Sequence, residues 1–109
     1  MPLDLYWQDY FLDCAAGEPN CYLNGGIWTF IGGFYVLALV KTGKLDEARK
    51  QLGRLAEANI LKPYFSEWLH GVSGKPGVSG SGVMDGNQCW NAGMYILAYQ
   101  SVEKGRVLI

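Results

Sequence analysis

The sequence predicts an all-α protein of helical hairpins, with three main helices and one long glycine-rich loop. Three observations predict it. Two runs are apolar on nearly every side at helical lengths, a third run between them is apolar along a single stripe, and proline and glycine gather between residues 60 and 87. The order is inner, outer, inner. Such an order suits a section of a barrel made from helical hairpins, where inner helices touch several neighbours and outer ones face water; an isolated three-helix bundle would favour three amphipathic helices.

Taken along the chain, residues 1–23 mix Tyr6, Trp7, Tyr10 and Phe11 with acids and then break at Gly17-Glu18-Pro19-Asn20, so a short helix and a loop are expected. From Ile27 to about Thr42, Ile27, Phe30, Ile31, Phe34, Tyr35, Leu37, Ala38 and Val40 cover most of a helix surface, with no charge before Lys41. This helix should be buried on several sides. Lys41 complements the negative pole of its last turn, and Gly43 supplies a left-handed stop. A second helix opens at Lys44-Leu45-Asp46-Glu47 and runs to about Asn59, with Leu45, Ala48, Leu52, Leu55 and Ala56 on one stripe. It should be half solvated. Residues 60–87 contain Pro63, Pro76 and a Gly/Ser-rich run from Gly71 to Gly86, which reads as loop and, by its length, as a functional one. The last helix should start near Asn87 or Gln88 and reach about Glu103, apolar nearly all round through Trp90, Ala92, Met94, Tyr95, Ile96, Leu97, Ala98, Tyr99 and Val102.

Length fixes the geometry of these parts. A first helix of about 16 residues rises about 24 Å, and a second of similar length runs back. The first and third helices therefore start at the same end, and both starting loops face one rim. Those loops are Asn24-Gly25-Gly26-Ile27-Trp28 and Asn87-Gln88-Cys89-Trp90, and the long loop carrying Glu67-Trp68 leads into the second.

Composition narrows the function classes. The 109 residues fit a single domain, and 50% apolar with 14% aromatic residues is more than so short a chain easily buries, which points to association with further copies. The formal charge of −1, from nine basic and ten acidic residues without long runs, leaves no footprint for nucleic acid or an anionic membrane. The longest apolar stretch, Ile27 to Val40, is short of the ~20 residues of a spanning helix. Met1-Pro2-Leu3-Asp4 lacks the features of an export signal, so a cytoplasmic location is expected. Cys14, Cys21 and Cys89 lack paired metal spacing and read as free thiols, and with His70 as the only histidine no metal or other cofactor is expected. Gly71-Val72-Ser73-Gly74-Lys75-Pro76 is not a phosphate loop, because Pro follows the lysine and no strand precedes it; Lys41-Thr42-Gly43-Lys44 ends a helix rather than starting one.

The rim residues are the chemistry of a carbohydrate site. A pyranose needs flat apolar faces, amides for its hydroxyls and carboxylates for proton transfer. Trp28, Tyr64, Trp68 and Trp90 supply the first, Asn24, Asn87 and Gln88 the second, and Glu67 and Asp85 are the loop carboxylates. Each also has a plainer reading. Tryptophans at helix starts serve as core residues, glycine pairs as turns, Glu67 as a solvated loop acid, and an Asp before Gly as a turn former. A glycosidic bond is ordinarily hydrolysed by two carboxylates, roughly 6.5–9.5 Å apart in inverting enzymes. Glu67 is the best single candidate.

As text, Tyr22-Leu23-Asn24-Gly25-Gly26-Ile27-Trp28 resembles the Tyr-His-Asn-Gly-Gly-x-Trp-Pro segment of six-hairpin glycosidases of the amylo-α-1,6-glucosidase and neutral/alkaline invertase type. Lys41-Thr42-Gly43-Lys44 and Ala48 resemble the next hairpin turn. Phe65-Ser66-Glu67-Trp68-Leu69-His70-Gly71-Val72-Ser73-Gly74-Lys75-Pro76, followed by Gln88-Cys89-Trp90-Asn91-Ala92-Gly93-Met94-Tyr95, is similar to their Glu-Trp-x-x-Gly-x-x-Gly, Gln-x-Trp-x-Ala-Gly ending. The resemblance spans roughly residues 20 to 103. It implies part of an (α/α)6 barrel near its carboxyl end, with Glu67 as a catalytic carboxylate, commonly the base, and Asn24, Trp28, Gln88 and Trp90 lining a sugar pocket. Leu23 stands where many relatives have His, and Thr29 where they often have Pro. The resemblance also implies that the general acid lies on an earlier hairpin, outside these residues, so hydrolysis by this chain alone is expected to be absent or very weak.

Overall fold

The computed structural model describes residues 19–22, 25–77 and 86–108. The short helix expected within residues 1–23, together with Asn24, Asp85 and the loop segment 78–85, lies outside them. The described chain forms three helices, α1 Thr29–Lys41, α2 Leu45–Asn59 and α3 Cys89–Lys104, with no strand among the described residues. None of these helices is long and apolar enough to cross a membrane.

Each boundary has a local cause. α1 begins two residues after Ile27 because Ile27 is held in extended pairing with Leu69: each N–H donates to the other's carbonyl at 2.8 Å. Its end is closed by the Thr42 hydroxyl, which donates to the Ala38 carbonyl at 2.9 Å, and by Gly43, whose φ of 77° lets the Lys44 N–H turn back to Leu39 at 2.9 Å. In α2 the acids Asp46 and Glu47 occupy the first turn, where the helix dipole favours them. α3 ends at Gly105, left-handed at φ 66°, and the chain folds back as the Ser101 hydroxyl accepts the Leu108 N–H at 3.2 Å.

The core lies where the three helices meet. Val36, Leu39 and Val40 of α1 pack with Ala48 and Leu52 of α2 and with Ala98 and Val102 of α3, while Leu45, Tyr95 and Val107 close the edges. Two glycines set the helix separations. A Cβ on Gly32 would lie 3.1 Å from Leu55 Cδ1, and one on Gly33 would lie 2.9 Å from Met94 Cβ. Gly33 and Met94 are both early in their helices, so α1 and α3 pack directly and run the same way, with α2 antiparallel to both. The shared rim follows from this arrangement. The two helices read as inner bury one face each and leave another open, through Ile31, Phe34 and Tyr35 on α1 and Trp90, Ile96 and Tyr99 on α3.

Candidate functional site at the rim

Residues 60–77 form a strap across the starts of α1 and α3. Its first part is tied to α2 and α3: the Phe65 N–H donates to Asn59 at 2.9 Å, and the Asn87 and Gln88 N–H groups donate to Tyr64 and Phe65 at 2.7 and 3.0 Å. Its second part is tied to the approach to α1 through the Ile27–Leu69 pair and a 2.7 Å bond from the Gly71 N–H to Asn20. The strap then doubles on itself, with the Gly77 N–H donating to Trp68 and the His70 N–H to Lys75, both at 2.8 Å. Glu67 sits half-buried midway, with pinned backbone two residues to either side. Such a backbone gives a carboxylate a fixed origin, which proton transfer requires.

The bonds between strap and helix are buried. The Asn91 side-chain amide donates to the Ser66 carbonyl at 2.6 Å. Thr29, Asn59, Ser66 and Asn91 are all buried polar residues at this end of the bundle: the first residue of α1, the last of α2, the strap, and the first turn of α3. Interior polar groups are costly unless hydrogen-bonded, yet Thr29 Oγ1, both polar atoms of the Asn59 side chain, Ser66 Oγ and Asn91 Oδ1 are buried here without a hydrogen-bond partner. Tyr64, Phe65 and Asn87 adopt positive φ angles of 72°, 47° and 56°. Left-handed backbone at bulky residues is uncommon, and among the described residues it occurs also at Asn20 and Tyr22, φ 66° and 42°, on the approach to α1.

The aromatic residues divide into two groups. Tyr64 and Trp90 are 46% and 45% exposed and present ring surface at the rim. Trp28 is half-buried; its indole N–H is committed to the Tyr22 carbonyl at 3.0 Å, and the Tyr22 ring lies tilted against it with centroids 4.8 Å apart. Trp68 is 4% exposed, lies edge-on to Tyr22 at 6.2 Å, and covers Gly77 so closely that a Cβ there has no room. Its ring therefore packs the strap and offers almost no platform surface, so the flat faces open to a ligand are those of Tyr64 and Trp90. Gln88 is half-buried and enters α3 beside them. Backbone bonds thus place Tyr64 and Phe65 beside Asn87 and Gln88, and Leu69 beside Ile27, with Glu67 on the strap between these two ties.

The other described carboxylates lie on the helices. Asp46, Glu47 and Glu103 are at the end opposite the rim, and Glu57 is exposed on α2. No group of three or more metal-binding side chains occurs among the described residues. His70 is engaged locally, its Nδ1 accepting the Val72 and Ser73 N–H groups at 3.2 Å each.

Two hollows flank the rim. One, of about 100 Å³, is lined by Ala56, Asn59, Ile60, Phe65 and Tyr95. The other is a groove of about 440 Å³ between α1 and α2, walled by Ile27, Ile31, Tyr35, Leu55 and Ala58, with Arg54 among its lining residues. Sequence reasoning missed Asn91, Ser66 and Tyr22 as organisers of the rim. A lone amide in the first turn of an otherwise apolar helix was the available signal for Asn91.

No known protein family, no curated protein and no solved structure matches the chain.

Proposed function

We propose that the chain is a partial glycoside hydrolase-like domain that contributes the general-base side and aromatic platform of an α-glucoside-type site. The observation carrying this reading is Glu67, held on a strap pinned by backbone bonds at Phe65 and Leu69, with Tyr64 on the same strap and Trp90 at the start of α3 both about half exposed, in the motif order that resembles six-hairpin glycosidases. In this reading the three helices are a segment of an (α/α)6 barrel. The Glu67 carboxylate accepts a proton from a water attacking the anomeric carbon, Gln88 and Asn24 hold sugar hydroxyls, and a general acid from elsewhere protonates the leaving oxygen. Incubation with sucrose, α-glucosides and α-1,6-branched oligosaccharides, beside Glu67→Gln, tests it. Slow hydrolysis that disappears in Glu67→Gln supports the assignment; hydrolysis that persists in Glu67→Gln removes the catalytic role.

A second reading is favoured by the open apolar faces of α1 and α3. Here the chain is a non-catalytic helical domain that associates with its own copies and binds sugar weakly at most. Phe34, Ile96 and Tyr99, each about half exposed, are what such an interface would bury.

A further inference from the structure

We infer that the groove between α1 and α2 binds a small aromatic monocarboxylate, its ring seated between the two helices and its carboxylate on Arg54. Neither Glu67 nor sugar chemistry enters the inference.

The space suits one small molecule. The groove holds about 440 Å³, within the roughly 300–1,000 Å³ of clefts that enclose such ligands. Its two walls meet where Gly32 faces Leu55, so closely that a Cβ on the glycine would stand 3.1 Å from Leu55 Cδ1.

The walls select a flat apolar body. Trp28, Ile31 and Tyr35 line the α1 side, and Leu55 and Ala58 line the α2 side. Ile31 and Tyr35 are 54% and 51% exposed, so the surface a ligand would cover is open to water. A ligand ring packs edge-on or offset against the two aromatic side chains and gains from leaving water.

The polar groups select the other end. Gln51 and Arg54 join Leu55 and Ala58 at the three- and four-residue spacing of one helix face, which brings the guanidinium to the α2 wall. Arg54 is exposed and has no ion-pair partner among the described residues, although Glu57 follows one turn later; the ion pair on α2 is Arg49–Asp46 at 3.3 Å. No Asp or Glu is among the residues lining the groove. The planar guanidinium fork matches a carboxylate through two parallel hydrogen bonds, and one cation balances one negative charge. Thr29, at the rim end of the α1 wall, is 4% exposed, and its Oγ1 has no hydrogen-bond partner. It adds an unused hydroxyl to a wall that is otherwise apolar, as sites with a few fixed polar groups do.

The test titrates the full nitrogen-15-labelled chain with 3-phenylpropionate, with its neutral amide 3-phenylpropanamide, and with acetate, which has the charge but no ring. Expected with 3-phenylpropionate are saturable shifts at Ile31, Gly32, Tyr35, Leu55 and the Trp28 indole. The amide should bind about tenfold more weakly, as loss of a charge-assisted bond implies, and acetate should leave these resonances in place. Arg54→Gln, at an exposed and unpaired position, should weaken 3-phenylpropionate about tenfold and leave the amide unchanged. Absence of groove shifts at millimolar ligand overturns the inference, as do equal affinities for acid and amide, shifts centred on Tyr64–Trp68 instead, or wild-type binding of the acid by Arg54→Gln.

Discussion

The side-chain amide of Asn91 ties the first turn of α3 to the carbonyl of Ser66, immediately before Glu67, with a buried bond of 2.6 Å. Removing the donor leaves that carbonyl buried without its partner. Asn91→Ala is therefore expected to lose about 1–3 kcal/mol in urea unfolding. It should also weaken any ligand response at Glu67, since the strap loses its tie to α3. A loss under about 0.5 kcal/mol, the size of an ordinary surface substitution, would show that the bond does not secure the strap.

Gly33 and Gly53 should respond oppositely to alanine. In α2, Gly53 has open space around its Cα, so Gly53→Ala gains helix propensity and should raise stability by about 0.5–1 kcal/mol. At Gly33 the same methyl meets Met94 Cβ at 2.9 Å, and overpacking should cost about 1–3 kcal/mol despite the propensity gain. Thermal and urea unfolding of the two variants, read against wild type, should move in opposite directions.

Gly77→Ala places a methyl against the indole of Trp68, where no room exists. The strap should open locally while the helices stay formed. Expected are an unchanged far-ultraviolet helical signal and a red-shifted, more quenchable tryptophan emission. Emission identical to wild type would mean that Trp68 is not packed on the strap.

Ile96 and Tyr99 form the open face of α3. If that face joins copies of the chain, sedimentation velocity of wild type should show a concentration-dependent rise in mass at micromolar protein that Ile96→Ser with Tyr99→Ser abolishes. A wild-type monomer throughout that range removes the interface.

Helix positions were legible because they follow from periodicity and from stop residues with one physical meaning, such as Gly43 after Lys41. Their shared rim was legible from length alone. The start of α1 was less so, since Ile27 fits the helical pattern but its backbone is claimed by Leu69, a partner more than forty residues away that no local signal reveals. The same reason hid the division among the tryptophans. Trp68 and Trp90 look alike in sequence, yet the Trp68 ring packs on Gly77 and is buried while Trp90 stays open. Asn91 was passed over because an amide inside an apolar helix acquires meaning only when the carbonyl it serves is known.

The central claim, a sugar-binding rim centred on Glu67, is tested most directly by titrating the protein with maltotriose and following backbone and indole resonances. The account predicts saturable shifts confined to Tyr64–Trp68 and Gln88–Trp90, including the Trp90 indole, and their strong reduction in Trp90→Ala. Shifts that are absent, or that map to the far ends of α1 and α3, would contradict it.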